Sequence, residues 1–375
     1  MENLLNLKRI RFDEKLALNL RSIYESYGYL PYNMSKFEEY DLYSKNKDFL
    51  GDGGILTFTD VSGRLMALKP DVTLSIVKNA VATTGTQKVY YKENVYRTNK
   101  KSGGFKEIQQ CGIECIGDLT EYDVIEVLIL ALESLKSTGR PFKLVVSHMG
   151  ILSSFINCLN LSDNDKFELI TCVKRKSSDG INEIAFRNDI DLTSLSNAVS
   201  LNGNPNDIIS ALYRICPKDA SDSVTSLHNI ISELSKIGFE DNISIDLSVM
   251  NDMNYYRSLV FRGYIDCIPE SVLIGGRYDD VLKKMGRNCG AIGFAVSLDK
   301  LNALSKSDDP TYRDVQLVYS KDIPSHTVIK AANEIRSNGL SVVAYNNADN
   351  TRSYGKTLYL NNDGTITEKG DGFNA

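Results

Sequence analysis

The chain has 375 residues, 42% of them hydrophobic, enough to bury a large core in a main domain and one or two smaller units. Its 43 Lys and Arg residues against 48 Asp and Glu give a formal charge of −5, the wrong sign for a surface that wraps phosphate backbones, so nucleic acid is not expected as a partner. The seven cysteines form no C-x-x-C pair and the three histidines lie away from metal-ligand spacing, which predicts reduced thiols and no metal site.

Neither a secretion signal nor a membrane span is expected. The N-terminal segment mixes Glu2, Asp13 and Glu14 among its apolar residues, unlike a signal peptide. The longest apolar run, VIEVLILAL, contains Glu126 and is too short to cross a bilayer. We therefore expect a cytoplasmic protein.

The first 81 residues predict a helix, a β-hairpin and a second helix. Apolar residues spaced for one helix face run through 13–28, with a glycine at the end. Residues 54–70 alternate apolar and polar side chains around the turn DVSG, which is typical of a hairpin. The segment 71–81 predicts a helix with Asp71 or Thr73 as its N-terminal cap.

The next segment predicts two long strands and a well-marked helix. Residues 88–97 and 105–117 are strand-like and form an antiparallel hairpin across a Lys- and Gly-rich loop. The helix that follows, 120–138, opens with a capping-box-like pair, Thr120 and Asp123. Its nearly continuous apolar run indicates that it lies on the back of a sheet.

The second half predicts the domain organisation. Residues from about 150 to 240 are predicted to be helical and to form an insertion between two strand-rich halves of the chain. We expect an α+β main domain over 1–309 and, after a polar linker, a small α/β unit over 310–375. That unit contains one βαβ unit and a closing hairpin.

One strand carries polar residues where burial is expected. Gln110, Gly112 and Glu114 share a face, because alternate strand residues point the same way. Gly112 is expected to leave a gap in which an amide and a carboxylate bind a small cation or a ring N–H. The alternative is a solvent-exposed face. The segment GGRYD follows another strand and lets backbone approach a ligand, but neither a phosphate-binding loop nor a dinucleotide fingerprint is present.

Six motifs of the chain carry a family resemblance: LKPDVT, VYRTN, QQCGIECIG, NYYRSLVFRGY, GGRYDDVL and GFAVSLDKL. They occur in the same order and spacing as in class II histidyl-tRNA synthetases, and residues 1–309 resemble the catalytic domain of those enzymes. The resemblance implies a class II aminoacyl-tRNA synthetase-like antiparallel sheet flanked by helices. It also implies a histidine pocket made of Asp71, Thr73, Gln110, Glu114, Tyr255, Tyr256 and Tyr278. Asp71 and Thr73 would hold the α-amino group with help from Gln110. The imidazole ring would lie among Glu114, Tyr256 and Tyr278.

The nucleotide half of the synthetase site departs from the family pattern. Asn99 replaces the glutamate of Arg-x-Glu after Arg97, and Asn251 replaces an arginine that contacts substrate carboxylate and phosphate. Lys300 replaces the arginine of the third motif, and a lysine lacks the planar two-point grip of a guanidinium. The resemblance therefore implies a degenerate nucleotide site at Arg97, Asn99, Asn251 and Lys300.

This combination resembles the regulatory subunits that accompany the short form of the ATP phosphoribosyltransferase catalytic subunit. The resemblance implies a non-catalytic chain without a cofactor that binds histidine and transmits feedback inhibition to the first step of histidine biosynthesis. It also implies a homodimer within a hetero-oligomer, with a dimer interface formed by the 13–28 helix and the strand after it.

Two other functions stay open. A divergent histidyl-tRNA synthetase would need a tRNA surface, which the acidic charge balance and the short C-terminal tail do not favour. The second open function is that of a class II relative that binds another small molecule. It stays open because Asp71 stands where synthetases have a glutamate, whose side chain is one methylene longer.

Overall fold

The computed structural model describes residues 11–46, 54–80, 85–98, 104–250, 258–304 and 313–368. The chain divides into two compact units, one of residues 16–303 and the other of residues 1–15 and 304–375. The predicted domain boundary at 309/310 lies outside the described residues and stays a prediction.

The elements that precede residue 305 are numbered in chain order. The strands are β1 (Leu30–Pro31), β2 (Phe37–Glu39), β3 (Thr57–Thr59), β4 (Leu65–Leu68), β5 (Thr86–Thr98), β6 (Phe105–Gly117), β7 (Phe142–His148), β8 (Ile243–Ile245), β9 (Leu259–Ile265), β10 (Leu273–Arg277) and β11 (Gly290–Ser297). The helices are α1 (Phe12–Ser26), α2 (Tyr40–Ser44), α3 (Thr73–Asn79), α4 (Glu121–Lys136), α5 (Met149–Ile156), α6 (Asp163–Arg175), α7 (Ser178–Asn188), α8 (Thr193–Ser200), α9 (Pro205–Ile215), α10 (Ser221–Lys236), α11 (Asp279–Lys284) and α12 (Leu298–Leu301).

An eight-stranded sheet forms the centre of the larger unit. Its strand order is β1-β5-β6-β11-β10-β9-β7-β8. The six inner strands are antiparallel, and β1 and β8 add parallel pairs at the two edges. The predicted hairpin is confirmed as β5 and β6, paired from Thr86 with Gly117 to Thr98 with Phe105. The predicted α+β fold with a largely antiparallel sheet is therefore confirmed.

The two faces of this sheet differ. Helix α4 packs against β7, β9 and β11, and the Leu135 side chain covers Gly263. We call this side the back face. One cross-strand row of the sheet consists of Val260, Gly276, Gly293 and Glu114. This row points to the opposite side, which we call the front face. The site described below lies on the front face.

The start of α4 has the capping box that the sequence predicts. The Thr120 hydroxyl accepts a hydrogen bond from the Asp123 N–H, and the Asp123 carboxylate accepts from the Thr120 N–H at 2.9 Å. We expect Thr120→Ala to lower the free energy of unfolding by about 1 kcal/mol, because it exposes an unpaired N–H at the helix start. Urea denaturation measures this change. Thr193→Ala is the control, because the N-cap of α8 is Leu192, which makes no side-chain capping bond. Equal stability of Thr120→Ala and the wild type would contradict the expectation.

Smaller elements complete the larger unit. The predicted hairpin of residues 54–70 is confirmed as β3 and β4, which join β2 in a three-stranded sheet. Helices α5 to α10 lie between residues 149 and 236, and that this helical segment is an insertion stays a prediction. None of the helices in the described parts of the chain combines the length and hydrophobicity that a membrane span requires.

The C-terminal unit contains β12 (Arg313–Tyr319), α13 (Ser325–Ser337), β13 (Val342–Tyr345), β14 (Tyr354–Leu360) and β15 (Ile366–Thr367). The strand order is β13-β12-β14-β15. The predicted βαβ unit and closing hairpin are confirmed. The parallel pairing of β14 with β12 was not predicted, and it makes the hairpin part of the same sheet.

Candidate functional site

Glu114 is the centre of a buried polar cluster on the front face. Its side chain is buried, with 2% exposed, although it lies in the middle of β6. The Thr73 hydroxyl donates to Oε1 at 2.6 Å, and the Tyr278 hydroxyl donates to Oε2. These contacts join three predicted site residues that are far apart in the sequence. The alternative of a solvent-exposed face is wrong at this position.

Asp71 fixes the start of α3 beside this cluster. Its Oδ1 accepts a hydrogen bond from the Leu74 N–H at 2.9 Å, but the N-cap residue of α3 is Val72 and not Asp71 or Thr73 as predicted. Burial raises the pKa of the Asp71 carboxyl, while the hydrogen bond from Leu74 and the charge of Arg97 lower it. The charge of Asp71 also acts on Glu114. The half-buried Asp71 and the buried Glu114 thus lie within electrostatic range of each other.

Burial raises the pKa of Glu114 to about 8, against the hydrogen bonds from Thr73 and Tyr278, which lower it. Its ordinary pKa is 4.5, so folding favours the protonated form. The stability that this proton contributes is fully present below about pH 4.5 and is lost as the pH rises to about 8.

The pH dependence of stability tests this assignment. Between pH 5 and 8 we expect the unfolding free energy of Glu114→Gln to rise relative to that of the wild type, by at most about 1.4 kcal/mol per pH unit. Urea denaturation of both proteins at four pH values measures the difference, in which the other titrating groups cancel. Parallel curves for the two proteins would show that Glu114 does not hold its proton.

The gap expected above Gly112 does not exist, so that prediction is wrong. Tyr91, the cross-strand partner of Gly112, fills the space with its ring. A Cβ atom at Gly112 would lie 2.5 Å from the Tyr91 hydroxyl. Burial and the nearby charges of Glu114 and Asp71 raise the pKa of Tyr91 well above its ordinary value. Tyr91 is thus a wall of the pocket that the sequence analysis missed.

Gly293 on β11 is a second missed residue. A Cβ atom there would lie 2.6 Å from the Glu114 carboxyl carbon and closer still to Oε2. The Glu114 carboxylate therefore leans across β11, away from the strand that carries it. Glycine is needed at 293 because the carboxylate occupies the place of a side chain.

Gln110 lies one row beyond Gly112 on the front face and is half-buried. Its cross-strand partner is Glu93, which forms an ion pair with the fully buried Lys69. Lys69 directly precedes Pro70 and Asp71, so this ion pair anchors the approach to α3. The role of Gln110 toward a ligand stays a prediction.

The two described cations of the predicted nucleotide site have protein partners. Arg97 donates from Nε to the Pro70 carbonyl at 3.0 Å. Lys300 donates to the Ser271 carbonyl at 2.9 Å and forms an ion pair with Glu270 at 2.8 Å. The other predicted site residues, Tyr255, Tyr256, Asn99 and Asn251, lie outside the described residues. In the described ranges no cluster of three or more His, Cys, Asp or Glu side chains is placed to hold a metal ion.

Sequence comparisons agree with this geometry. The histidyl-tRNA synthetase family model matches residues 4–301. An ATP phosphoribosyltransferase regulatory subunit from Caldanaerobacter subterraneus is 30% identical over 348 residues, which cover 89% of this chain and 90% of that protein. The subunit of the same name from Oceanobacillus iheyensis is 28% identical over 324 residues, covering 83% of this chain and 79% of that protein.

Solved structures share the fold. A Bacillus halodurans structure, described as an ATP phosphoribosyltransferase regulatory subunit/histidyl-tRNA synthetase, has a TM-score of 0.78 at 22% identity and covers 96% of both chains. A chain of the ATP phosphoribosyl transferase (HisG:HisZ) complex from Thermotoga maritima has a TM-score of 0.62 at 16% identity, covering 79% of this chain and 98% of that chain.

The sheet order and the polar front-face pocket define a class II synthetase-like domain. The chain belongs to the histidyl-tRNA synthetase family and, within it, to the ATP phosphoribosyltransferase regulatory subunits.

Proposed function

We propose that the chain is the non-catalytic regulatory subunit of an ATP phosphoribosyltransferase, acting at the first step of histidine biosynthesis in the cytoplasm. In this proposal it binds histidine at Glu114 and transmits feedback inhibition to the catalytic subunit. Two features together carry the proposal. The half-buried Asp71 and the buried Glu114 place two carboxyl groups at the site, and the nearby cations Arg97 and Lys300 are already bonded to protein groups.

The carboxyl groups suit the two N–H-bearing ends of histidine. Asp71 offers an anion for the α-ammonium group, and Glu114 offers oxygens for a ring N–H. Charge-assisted hydrogen bonds of this kind are stronger where water is excluded. Tyr278 and Thr73, which already donate to Glu114, fix the position of its carboxyl group. The predicted ligand residues Gln110, Tyr255 and Tyr256 belong to the same proposal.

The described residues offer few groups that could bind a nucleoside triphosphate. Phosphoryl groups need preorganised cations where negative charge develops. Arg97 is bonded to the Pro70 carbonyl and faces Asp71, and the Lys300 ammonium group is bonded to Ser271 and Glu270. These contacts support a site that holds an amino acid and performs no adenylation.

The proposed partner is the short-form catalytic subunit, with this chain present as a homodimer in a hetero-oligomer. The Thermotoga structure is described as a complex, HisG:HisZ, of an ATP phosphoribosyl transferase, which supports a partner of this class. The proposed dimer interface uses α1 and β1. Leu18 on α1 and Leu30 on β1 are 50% and 67% exposed, as expected for side chains that a second copy covers.

Calorimetric titration with histidine, and with ATP plus magnesium, tests this function. We expect histidine to bind and pyrophosphate exchange to be absent when histidine and ATP are both supplied. Histidine-dependent pyrophosphate exchange would contradict the proposal and favour the divergent synthetase. Failure to bind histidine would favour the third reading, a relative that recognises another small molecule.

A further inference from the structure

Arg262 is a cation on the front face to which the sequence analysis gave no role. It lies on β9 two residues after Val260, so it shares the face of Glu114. Its cross-strand neighbour Ile274 is 44% exposed. The front face is therefore open to solvent beside Arg262, and a small molecule can reach it.

The hydrogen bonds of Arg262 are incomplete. Nη2 donates to the Met250 carbonyl at 3.1 Å, while Nε is buried and has no acceptor among the described residues. A buried donor on a charged group is costly to leave unpaired, and such groups in native proteins commonly mark a missing ligand or water. The unpaired Nε is thus an independent sign that an anion or a polar acceptor belongs at this position.

The other candidate cations near the pocket are accounted for. Arg97 is bonded to Pro70, Lys69 is paired with Glu93, and Lys300 is paired with Glu270. Arg277 at the end of β10 belongs to the row of Ile292 and Cys115 on the back face, and it is paired with Asp279. Among the described residues around the pocket, Arg262 is the cation with a buried donor still unpaired.

The floor between Glu114 and Arg262 contains small residues next to the partly exposed Ile274. The Glu114 carboxylate leans over Gly293 on β11, and Gly276 on β10 and Ala295 on β11 lie between it and Arg262. Two strand spacings, about 10 Å, separate β11 from β9. This width is suited to a single amino acid lying flat on the sheet.

The charges at the two sides of this floor are opposite. Asp71 is on the side of β5, where it faces Arg97, and Arg262 is on β9. A zwitterionic amino acid has an ammonium group that suits Asp71 and a carboxylate that suits Arg262. We propose that Arg262 binds the carboxylate of the histidine whose ring is held by Glu114. This assignment rests on the proposed function, and it makes the α-carboxylate a determinant of specificity.

The test compares L-histidine with L-histidinol, which has the same ring and amine but a hydroxymethyl group in place of the carboxylate. Both are titrated calorimetrically into the full chain and into Arg262→Gln. We expect the wild type to bind histidine at least tenfold more tightly than histidinol. Arg262→Gln should lose at least tenfold in histidine affinity and keep its histidinol affinity. Arg262→Lys keeps the charge and should retain part of the preference.

Arg287→Gln is the matched control. Arg287 is also half-buried and bonded to backbone carbonyls, those of Lys78 and Ala80, at the end of α3. Its loss should lower stability without changing the preference for histidine over histidinol. An equal fall in both affinities for Arg262→Gln, or an unchanged preference, would overturn the assignment. A wild type that binds neither compound would overturn the proposed function and this assignment with it.

Discussion

Glu114→Gln is expected to weaken histidine binding about 10- to 100-fold, since hydrogen bonds to a charged group contribute about 1.5–3 kcal/mol each. Glutamine keeps the shape of the side chain and one acceptor oxygen, so Thr73 and Tyr278 retain positions close to their present ones. It cannot carry the charge that pairs with a ring N–H. Calorimetric titration with histidine at pH 8.5, where the Glu114 carboxyl with its pKa of about 8 is mostly ionised, measures the loss.

The control for this variant is Glu126→Gln. Glu126 is buried on α4, with 4% exposed, and is paired with Lys88 on β5, on the back face of the sheet. Its loss removes a buried ion pair of similar character without touching the pocket. We expect Glu126→Gln to lower stability and leave histidine affinity unchanged. Wild-type affinity in Glu114→Gln would place the histidine site elsewhere.

Gly293→Ala is expected to destabilise the protein by about 3 kcal/mol or more and to abolish histidine binding. The new Cβ atom would overlap the Glu114 carboxylate and the Ile113 backbone carbonyl, and the backbone atom cannot move aside. Overpacking in a well-packed core costs about 1–3 kcal/mol, and a displaced buried carboxyl group adds to that cost. Urea denaturation and histidine titration together measure the two effects.

Gly290→Ala on the same strand is the matched control. There a Cβ atom would lie 3.1 Å from the flexible side chain of Leu119, which can move by a few tenths of an ångström. We expect its stability to fall by less than about 1 kcal/mol, as for volume changes that the surroundings accommodate. Similar losses for the two variants would show that the clash with Glu114 is not the cause.

The secondary structure was predictable where a local signal was strong. The capping box of Thr120 and Asp123, the hairpin around DVSG and the glycines that follow helices depend on neighbouring residues alone. The parallel pair of β14 with β12 was missed because it joins segments about 40 residues apart. Periodicity gives the existence of a strand but not its partner.

The site was predictable in part. The grouping of Glu114 with Tyr278 was anticipated through family resemblance, because no pattern joins residues 164 positions apart. The hydrogen bond from Thr73 to Glu114 was not anticipated, since the resemblance placed Thr73 at the amino end of the ligand. Tyr91 could have been found by counting the register of the long hairpin, which places it opposite Gly112. Gly293 and Arg262 become significant only when β11 and β9 are placed beside β6. Their importance comes from the strand order, which the sequence does not state.

The proposed function requires that the Glu114 pocket senses histidine for a separate catalytic subunit. The most direct measurement is the rate of the short-form ATP phosphoribosyltransferase with this chain added, across a range of histidine concentrations, for the wild type and for Glu114→Gln. We expect both proteins to activate the catalytic subunit, and we expect inhibition by histidine to shift to at least tenfold higher concentration in the variant. Unchanged inhibition in Glu114→Gln would contradict the proposed function.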